Sequence, residues 1–427
     1  MMIGLLATMS FNLVDTYFVS GLGKDSLAAL SFTFPIIMLV FSISIGLGAG
    51  TSSVVSRAVG EKDEQAVKEL VTDSILLSMT IVGVVSIIGL LTIEPVFRML
   101  GAGDDVLPLV KAYMYPWFIG AVPMAVPMVV MSSFRAMGNT KLQGVAMIAM
   151  AVVNAILDPI LIYGWWIFPR MEIQGAAVAS LVVRLCGLLL IGYWLVFRYK
   201  LLVNPFNGSR IIRSWQKILH IGIPATATNI IIPASSAVIV GIVATHGNEA
   251  VAGFGAAVRV EAISLICFYA LSAVIGPFCG QNLGASEFER LFRAQKVCAK
   301  VCLSIGLSVT VILALFGAHV GRIFSANPEV IEVVRFYLLI VPISYSAYGI
   351  VMVVNASFNG LGLPIPGVLL SSTRVILLLL PLAWLGNMLL GLYGVFISIT
   401  LSNIIVGTWA YFWVNKTIHT LVKPATV

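Results

Sequence analysis

The chain has 427 residues, of which 59% are hydrophobic and 10% are charged, and its formal net charge is +7. About 25% of the residues in a soluble domain are charged, so this composition excludes a soluble globular protein and indicates a polytopic membrane protein. The basic residues are scattered through short connections, which argues against a nucleic-acid-binding patch, and the five cysteines show neither metal-ligand spacing nor a disulfide pattern.

Long apolar stretches separated by polar connections predict an all-α integral membrane protein with twelve transmembrane helices. The first stretch has no basic segment and no small-residue cleavage site, so we predict a span there rather than a signal peptide. The charged sequence GEKDEQAVKEL is predicted to form a surface helix on the cytoplasmic side over residues 60–70. In chain order, the predicted spans are 1–21, 32–55, 71–93, 107–132, 142–167, 176–198, 218–245, 251–278, 297–318, 330–356, 365–388 and 392–415.

The distribution of Lys and Arg predicts the orientation of these spans. In the connections and at the span ends, sixteen basic residues fall on the side of both termini and six fall on the opposite side, and three more lie within spans. Because positively charged loops stay in the cytoplasm, we predict cytoplasmic termini and a location in the inner (plasma) membrane. The longest polar connection divides the spans six and six. We therefore predict an N-terminal lobe over 1–197, a cytoplasmic linker over 198–217 and a C-terminal lobe over 218–427.

The two halves repeat at a constant offset of 224 residues, without gaps, from residue 19 to residue 138. Internal repeats of this kind are typical of transporters. Because six spans is an even number, both halves enter the membrane from the same side, which predicts two pseudo-symmetric six-helix lobes. The matched residues include Val19 with Val243, Gly23 with Gly247, Gly60 with Gly284, Arg98 with Arg322, Tyr113 with Tyr337, Phe134 with Phe358 and Gly138 with Gly362.

Three polar residues inside the first-half spans are not repeated in the second half. They match aliphatic residues: Asp15 with Ile239, Asn154 with Leu378, and Asp158 with Leu382. Groups that only held a lobe together should be needed in both lobes, so this difference favours a functional role for the three polar residues.

These residues are predicted to lie at similar depth. Asp15 is about six residues from the outer end of span 1, and Asp158 about eight from that of span 5, so both lie roughly 9–12 Å deep. One buried acid costs about 2.5–3.5 kcal/mol, and two close carboxylates do not easily both ionise, so the pair should take up a proton or a cation. The structural alternative is a salt bridge from Arg184 to one acid. Ser180 and Tyr113 also lie in the outer half, and Asn12 shares the polar face of span 1 with Asp15. Asn12 and Arg184 are possible substrate-site residues.

The second half carries Arg259 and Glu261 in span 8. Two residues apart, they do not share a helix face, and structural pairing and substrate contact are equally supported for them. No motif for ATP hydrolysis, zinc-dependent proteolysis or a nucleophile elbow is present, so we predict neither an enzyme nor a cofactor.

The chain resembles the multidrug and toxic compound extrusion (MATE) family over essentially its whole length, and its DinF-like branch in particular. The segments that carry the resemblance are NLVDTYFVSGLG (12–23), SRAVGEKD (56–63), FRAMGNTK (134–141), NAILDPILIYG (154–164), GAAVAS (175–180) and VRVEA (258–262). The resemblance implies a cation site in the N-terminal lobe at Asp15, Asn154 and Asp158, completed by Ser180 and Tyr113.

One departure from the family concerns helix 1, which usually contains an early proline. Here no proline precedes Pro35. The repeat matches Pro224 to the position just before Met1, so we expect the reading frame to extend upstream with a proline there.

The resemblance implies a secondary exporter of amphipathic or cationic compounds, driven by the influx of a cation, most simply a proton. Sodium coupling is an alternative, because Asp, Asn and Ser oxygens also suit a hard cation. Flipping of a lipid-linked precursor is a further alternative, and an integral-membrane transferase is less favoured because no loop is long enough to hold a catalytic site. The implied partners are small drug-like substrates, the coupling ion and the lipid bilayer.

Overall fold

The computed structural model describes the backbone of residues 2–164, 169–204 and 208–422, and their side chains except those of 9–16, 20, 24, 25 and 27. This part of the chain is helical and contains no strand. Helices are expected here because backbone N–H and C=O groups in a bilayer have no water to bond and must pair within their own segment.

The first six spans are formed by seven α-helices and one π-helical turn. They are α1 (Met2–Ser20), α2 (Lys24–Gly60), α3 (Glu64–Met99), α4 (Leu107–Ile119) with α5 (Ala121–Ala136), α6 (Thr140–Tyr163), and α7 (Glu172–Tyr193) with the π-helical turn Trp194–Arg198.

The remaining six spans contain more irregular segments. They are α8 (Gly208–Ala244), α9 (Asn248–Ser264) with α10 (Ile266–Gly284), α11 (Phe288–Phe324), α12 (Pro328–Ile340) with the 3-10 turn Val341–Ser344 and α13 (Tyr345–Gly360), α14 (Pro364–Ser372) with the π-helical segment Thr373–Leu379 and α15 (Leu380–Leu390), and α16 (Leu392–Val422).

The prediction of twelve transmembrane helices is confirmed. Among the residues that the structure describes, ten helical stretches are long and apolar enough to cross a membrane, α4 and α5 form an eleventh span bent by 44°, and α1 is the twelfth. The cytoplasmic side of the predicted surface helix over 60–70 stays a prediction. Residues 64–70 are helical and form the first two turns of α3, which runs unbroken from Glu64 to Met99. Its start is fixed by Asp63, whose Oδ1 accepts a hydrogen bond from the Ala66 N–H at 2.9 Å.

The chain divides into two compact units, residues 1–226 and 227–427. The core of the first unit includes Trp117 and Phe134, and that of the second includes Phe268 and Phe358, all of them buried. The lobe and linker boundaries expected from the sequence, 1–197, 198–217 and 218–427, stay a prediction.

The 224-residue repeat is visible in the backbone of the turns. Gly23 and Gly247 precede α2 and α9 with φ of 112° and 103°, and Gly138 and Gly362 precede α6 and α14 with φ of 86° and 77°. Glycine is favoured at such positive φ because it has no Cβ atom. The turns after α2 and α10 also match, since Lys62 and Ser286, both non-glycine residues, have φ of 59° and 58°. The repeat therefore fixes where helices end, not only which residues they contain.

The connection before α8 is attached to the first unit by buried polar contacts. Arg210 Nη2 lies 3.1 Å from Oδ1 of Asp73, a fully buried residue of α3. The Trp215 indole N–H donates to the backbone oxygen of Asp73 at 3.0 Å, and the Val203 N–H donates to Thr72 Oγ1 at 3.1 Å. These contacts hold the start of α8 against α3.

Candidate functional site

Asn154 and Asp158 form a buried polar pair on α6. The helix begins after Asn139, whose Oδ1 accepts a hydrogen bond from the Leu142 N–H, and it places residues four apart on one face. Asn154 Nδ2 donates to Asp158 Oδ1 at 2.9 Å, and both side chains are fully buried. Asn154 Oδ1 accepts no hydrogen bond from any described side chain. The two polar residues thus share a face within the membrane-embedded part of the first unit.

Helix α1 packs alongside α6 in the same direction. Near their beginnings, a Cβ atom on Gly4 would lie 3.1 Å from Gly144 Cα, and near their ends Tyr163 Oη donates to the Phe18 carbonyl oxygen at 3.0 Å. This register puts residue 15 of α1 level with the turn of α6 that holds Asp158. The side chains of Asn12 and Asp15 lie outside the described residues, so their predicted roles stay predictions.

Ser180 lies on α7, which packs against α6 in the opposite direction. A Cβ atom on Gly175 would meet Leu161 O at 2.5 Å, and one on Gly187 would meet Met150 Sδ at 2.7 Å. This register places the buried Ser180 level with the turn between residues 154 and 158.

Tyr113 is also buried, on α4. It precedes Gly120 by seven residues, and Gly120 lies beside Leu181 of α7. Since α4 and α7 run in the same direction, Tyr113 lies nearly two helical turns beyond the level of Ser180. The structure therefore brings the backbone of residue 15, the α6 pair and Ser180 to one level, and it places Tyr113 about 9 Å along the helix axis from that level.

Arg184 contacts the bend of span 4. Its Nη1 donates to the Gly120 carbonyl oxygen at 3.4 Å, and its guanidinium carbon lies 5.1 Å from the centre of the Trp117 ring. Gly120 separates α4 from α5, so this contact supplies a donor to a carbonyl at the bend. In the second unit, Asn403 of α16 donates at 3.0 Å to the Oγ of Ser344, which is the repeat partner of Gly120 and the last residue of the 3-10 turn of span 10.

Glu261 of α9 is the centre of a polar cluster in the second unit. The hydroxyl of Tyr337 donates a short hydrogen bond to Glu261 Oε2, and that of Tyr345 lies 3.4 Å from the same oxygen. Arg259 is exposed and forms no ion pair with the described residues, so the two residues of the VRVEA segment do not act as a pair.

Arg374 extends this cluster towards span 12. It is buried, it lies in the π-helical segment of span 11, and its Nη1 donates to Asn403 Oδ1 at 3.1 Å. Its guanidinium carbon lies 4.6 Å from the centre of the Tyr348 ring. Sequence reasoning missed the two tyrosines around Glu261, although Tyr337 is the repeat partner of Tyr113 and could have been found by that signal.

The two units thus place their acids in different ways. Asp158 is fully buried beside a neutral amide, and a proton or a small cation would lower the cost of keeping that carboxylate in the membrane. Glu261 is only half-buried and receives two neutral hydroxyl donors. No group of three or more His, Cys, Asp or Glu side chains among the described residues could hold a metal ion.

Comparisons with known proteins agree with this architecture. The family model MatE matches residues 1–160 and 224–385. The FAD transporter of Shewanella oneidensis is 37% identical over 97% of this chain and 92% of its own length. The multidrug export protein MepA of Staphylococcus aureus is 26% identical over 94% of this chain and 88% of its own length. The crystal structure of the Vibrio cholerae MATE transporter VcmN in the bent form has a TM-score of 0.93 at 30% identity, covering 98% of this chain and 94% of that one.

Proposed function

The chain belongs to the MatE family of membrane transporters, and we propose that it is a secondary active exporter in which proton influx drives extrusion of amphipathic or cationic compounds by alternating access. The observation that carries the coupling proposal is the buried Asn154–Asp158 pair, level with position 15 of α1. We propose that Asp15 and Asp158 bind the proton and that Asn154, Ser180 and Tyr113 complete the network. The pair is absent from the matching positions of the second unit, Leu378 and Leu382.

The physical argument for coupling rests on the cost of charge. A carboxylate inside a bilayer costs about 2.5–3.5 kcal/mol, and protonation removes most of that cost. Protonation would also end the repulsion between two acids and let α1 and α6 approach each other. A changed position of α1 would alter the space available to a substrate in the first unit, which links proton entry to substrate release.

Two substrate classes are supported by the names of the relatives. MepA is named a multidrug export protein, which supports drug-like amphipathic substrates. The relative named an FAD transporter is more similar, at 37% against 26% identity, so an aromatic compound that bears phosphates is a second candidate. Uptake of FAD and of a cationic dye into the same inside-out vesicles decides between them, and saturable proton-driven uptake of one identifies the class.

The coupling proposal is tested in proteoliposomes with independently imposed proton and sodium gradients. We expect the proton gradient alone to drive transport, and Asp15→Asn and Asp158→Asn each to abolish gradient-driven transport while leaving the protein folded. Matched controls are Ile239→Asn and Leu382→Asn, which place the same amide at the equivalent positions of the second unit. Near wild-type exchange by either Asp variant would contradict the proposal, and transport driven only by sodium would favour the sodium-coupled alternative.

The proposed orientation has both termini in the cytoplasm and the chain in the inner membrane. It rests on the bias of basic residues towards one set of connections. Reporter fusions after residue 217 and after residue 427 should both give a cytoplasmic signal. A periplasmic signal from the first fusion would overturn this orientation.

A further inference from the structure

Three ion pairs connect four side chains near the end of α3 and the start of α4 in the first unit. Glu94 joins two cations, with its Oε1 3.1 Å from Arg98 Nε and its Oε2 2.6 Å from Lys111 Nζ. Arg98 Nη1 also lies 2.8 Å from Asp104 Oδ1. One carboxylate therefore occupies the space between two basic side chains, and a second acid holds one of them from the other side.

The second unit keeps the cations of this cluster and lacks the acids. By the 224-residue offset, the matched positions are Arg98 with Arg322, Lys111 with Arg335, Glu94 with Ala318, and Asp104 with Pro328. Arg322 and Arg335 are exposed, and neither forms an ion pair with any residue that the structure describes. The second unit thus has basic residues at both matched positions but no acid at the positions of Glu94 and Asp104.

An open cavity lies at the positions where the first unit has the Glu94 and Asp104 carboxylates. Its volume is about 560 Å³, and its lining residues are Ala318, Arg322, Pro328, Ile331, Glu332, Arg335, Phe336 and Leu339. It lies between the last turns of α11 and the first turns of α12, where two spans meet the membrane interface. Arg335 is seven residues into α12, about 10 Å from the helix start, so the cavity reaches from the interface towards the hydrocarbon region.

Two glycines bring the cavity walls together. A Cβ atom on Gly321 would lie 3.2 Å from Ile331 Cα, and one on Gly317 would lie 3.4 Å from Leu338 Cβ and 3.8 Å from Arg335 Cα. This close packing of α11 against α12 holds the backbones that carry Arg322 and Arg335 in fixed register. The cavity walls are therefore part of the packed helix pair.

We propose that Arg322 and Arg335 bind the phosphodiester of a membrane phospholipid in this cavity. A phosphate presents oxygens to two cations in the same way as the Glu94 carboxylate does in the first unit, and arginine pairs well with phosphate. The cavity is open and has apolar walls at Ile331, Phe336 and Leu339 that suit acyl chains. This site lies outside the proposed coupling site and does not depend on it.

Glu332 gives the cavity its selectivity among lipids. Its Oε1 lies 3.5 Å from the Tyr393 hydroxyl, and its carboxylate lowers the net charge of the cavity to a single positive charge. A headgroup that donates hydrogen bonds, such as ethanolamine or glycerol, satisfies this carboxylate while its phosphate contacts the arginines. Choline has no such donor. The site therefore prefers phosphatidylethanolamine and phosphatidylglycerol over phosphatidylcholine.

The test is native mass spectrometry of the full-length protein in detergent, titrated separately with these three lipids, with diacylglycerol and with inorganic phosphate. We expect saturable binding of phosphatidylethanolamine and phosphatidylglycerol, weaker binding of phosphatidylcholine and none of diacylglycerol. The variant Arg322→Ala/Arg335→Ala should bind at least about tenfold more weakly, because charged hydrogen bonds are lost. Ala318→Glu should block binding equally, because it restores the carboxylate of the first unit.

The matched control is Arg98→Ala/Lys111→Ala, which removes the equivalent cations of the first unit and should leave lipid binding unchanged. Thermal unfolding of each variant shows that it is folded, and the double arginine variant keeps the test valid if Ala318→Glu does not fold. Unchanged binding by the folded double arginine variant would overturn the proposal. Binding of inorganic phosphate without retention of any phospholipid would also overturn it, because the occupant would then be a free anion.

Discussion

The side-chain amide of Asn154 supplies a neutral donor to the carboxylate of Asp158 at 2.9 Å. A neutral donor stabilises a carboxylate less than a cation would. In the second unit, Glu261 has two tyrosine hydroxyls in the same role. At the residue scale, the two acids accept hydrogen bonds from different neutral donors, an amide for Asp158 and two hydroxyls for Glu261.

The variant Asn154→Ala should weaken gradient-driven transport but leave more of it than Asp158→Asn does. It removes the donor and keeps the titratable group, so proton binding persists with altered affinity. Initial rates of transport and of proton uptake, measured in the same vesicles, check this. Equal and complete loss in both variants would show that the amide is as necessary as the acid.

The variant Tyr337→Phe should lower the free energy of unfolding by about 1–3 kcal/mol, because it leaves the half-buried Glu261 carboxylate without its closest donor. Tyr345→Phe should cost less, since that hydroxyl lies 3.4 Å away. Denaturant unfolding in detergent measures both changes. In a Glu261→Leu background the cost of Tyr337→Phe should shrink, and a cost that does not change there would place its origin elsewhere.

Among the helices, close approaches depend on glycine at particular positions. A Cβ atom on Gly46 of α2 would lie 1.9 Å from Thr226 Oγ1 and 2.6 Å from the Gly222 carbonyl oxygen of α8. Real Cβ atoms do not come this close, so α2 and α8 must separate if the residue is larger. Gly83 of α3 is different, because its nearest neighbour would be a Val122 methyl group at 3.9 Å.

We therefore expect opposite effects from two identical substitutions. Gly46→Ala should destabilise the protein by about 1–3 kcal/mol through overpacking. Gly83→Ala should be neutral or stabilising by up to about 1 kcal/mol, because alanine favours the helix interior over glycine. Thermal unfolding of the two variants side by side checks this, and a destabilised Gly83→Ala would show that the helix backbone cannot accept a side chain for another reason.

Across the whole molecule, the connection between the halves is held by the first unit. Asp73 is fully buried and pairs with Arg210, so removing one partner leaves an uncompensated buried charge. Arg210→Ala should cost about 3–5 kcal/mol locally and expose the connection before α8 to protease. Limited proteolysis around residues 199–217 measures this. Asp73→Ala/Arg210→Ala should be cleaved more slowly than Arg210→Ala alone, and the reverse order would contradict the role of the ion pair.

Much of this architecture could be predicted from the sequence, because the apolar stretches indicate the number of spans and the gap-free repeat indicates two similar lobes. The start of α3 at Glu64 could not, because its preceding turn uses a positive φ at Lys62, a residue type that gives no signal for one. The ion pair of Asp73 and Arg210 joins residues 137 apart in sequence, and the tyrosines around Glu261 come from other spans. Such contacts follow from how helices pack, which no local pattern records.

The repeated turns have an evolutionary consequence. Gly23 and Gly247, Lys62 and Ser286, and Gly138 and Gly362 keep matching backbone conformations although many surrounding side chains differ. Matching turns at one constant spacing are the mark of a duplicated gene that encoded a single six-span ancestor. Because that ancestor crossed the membrane an even number of times, two copies could be fused head to tail without inverting either. The fused copies then diverged in their charged residues while the turns between their helices stayed the same.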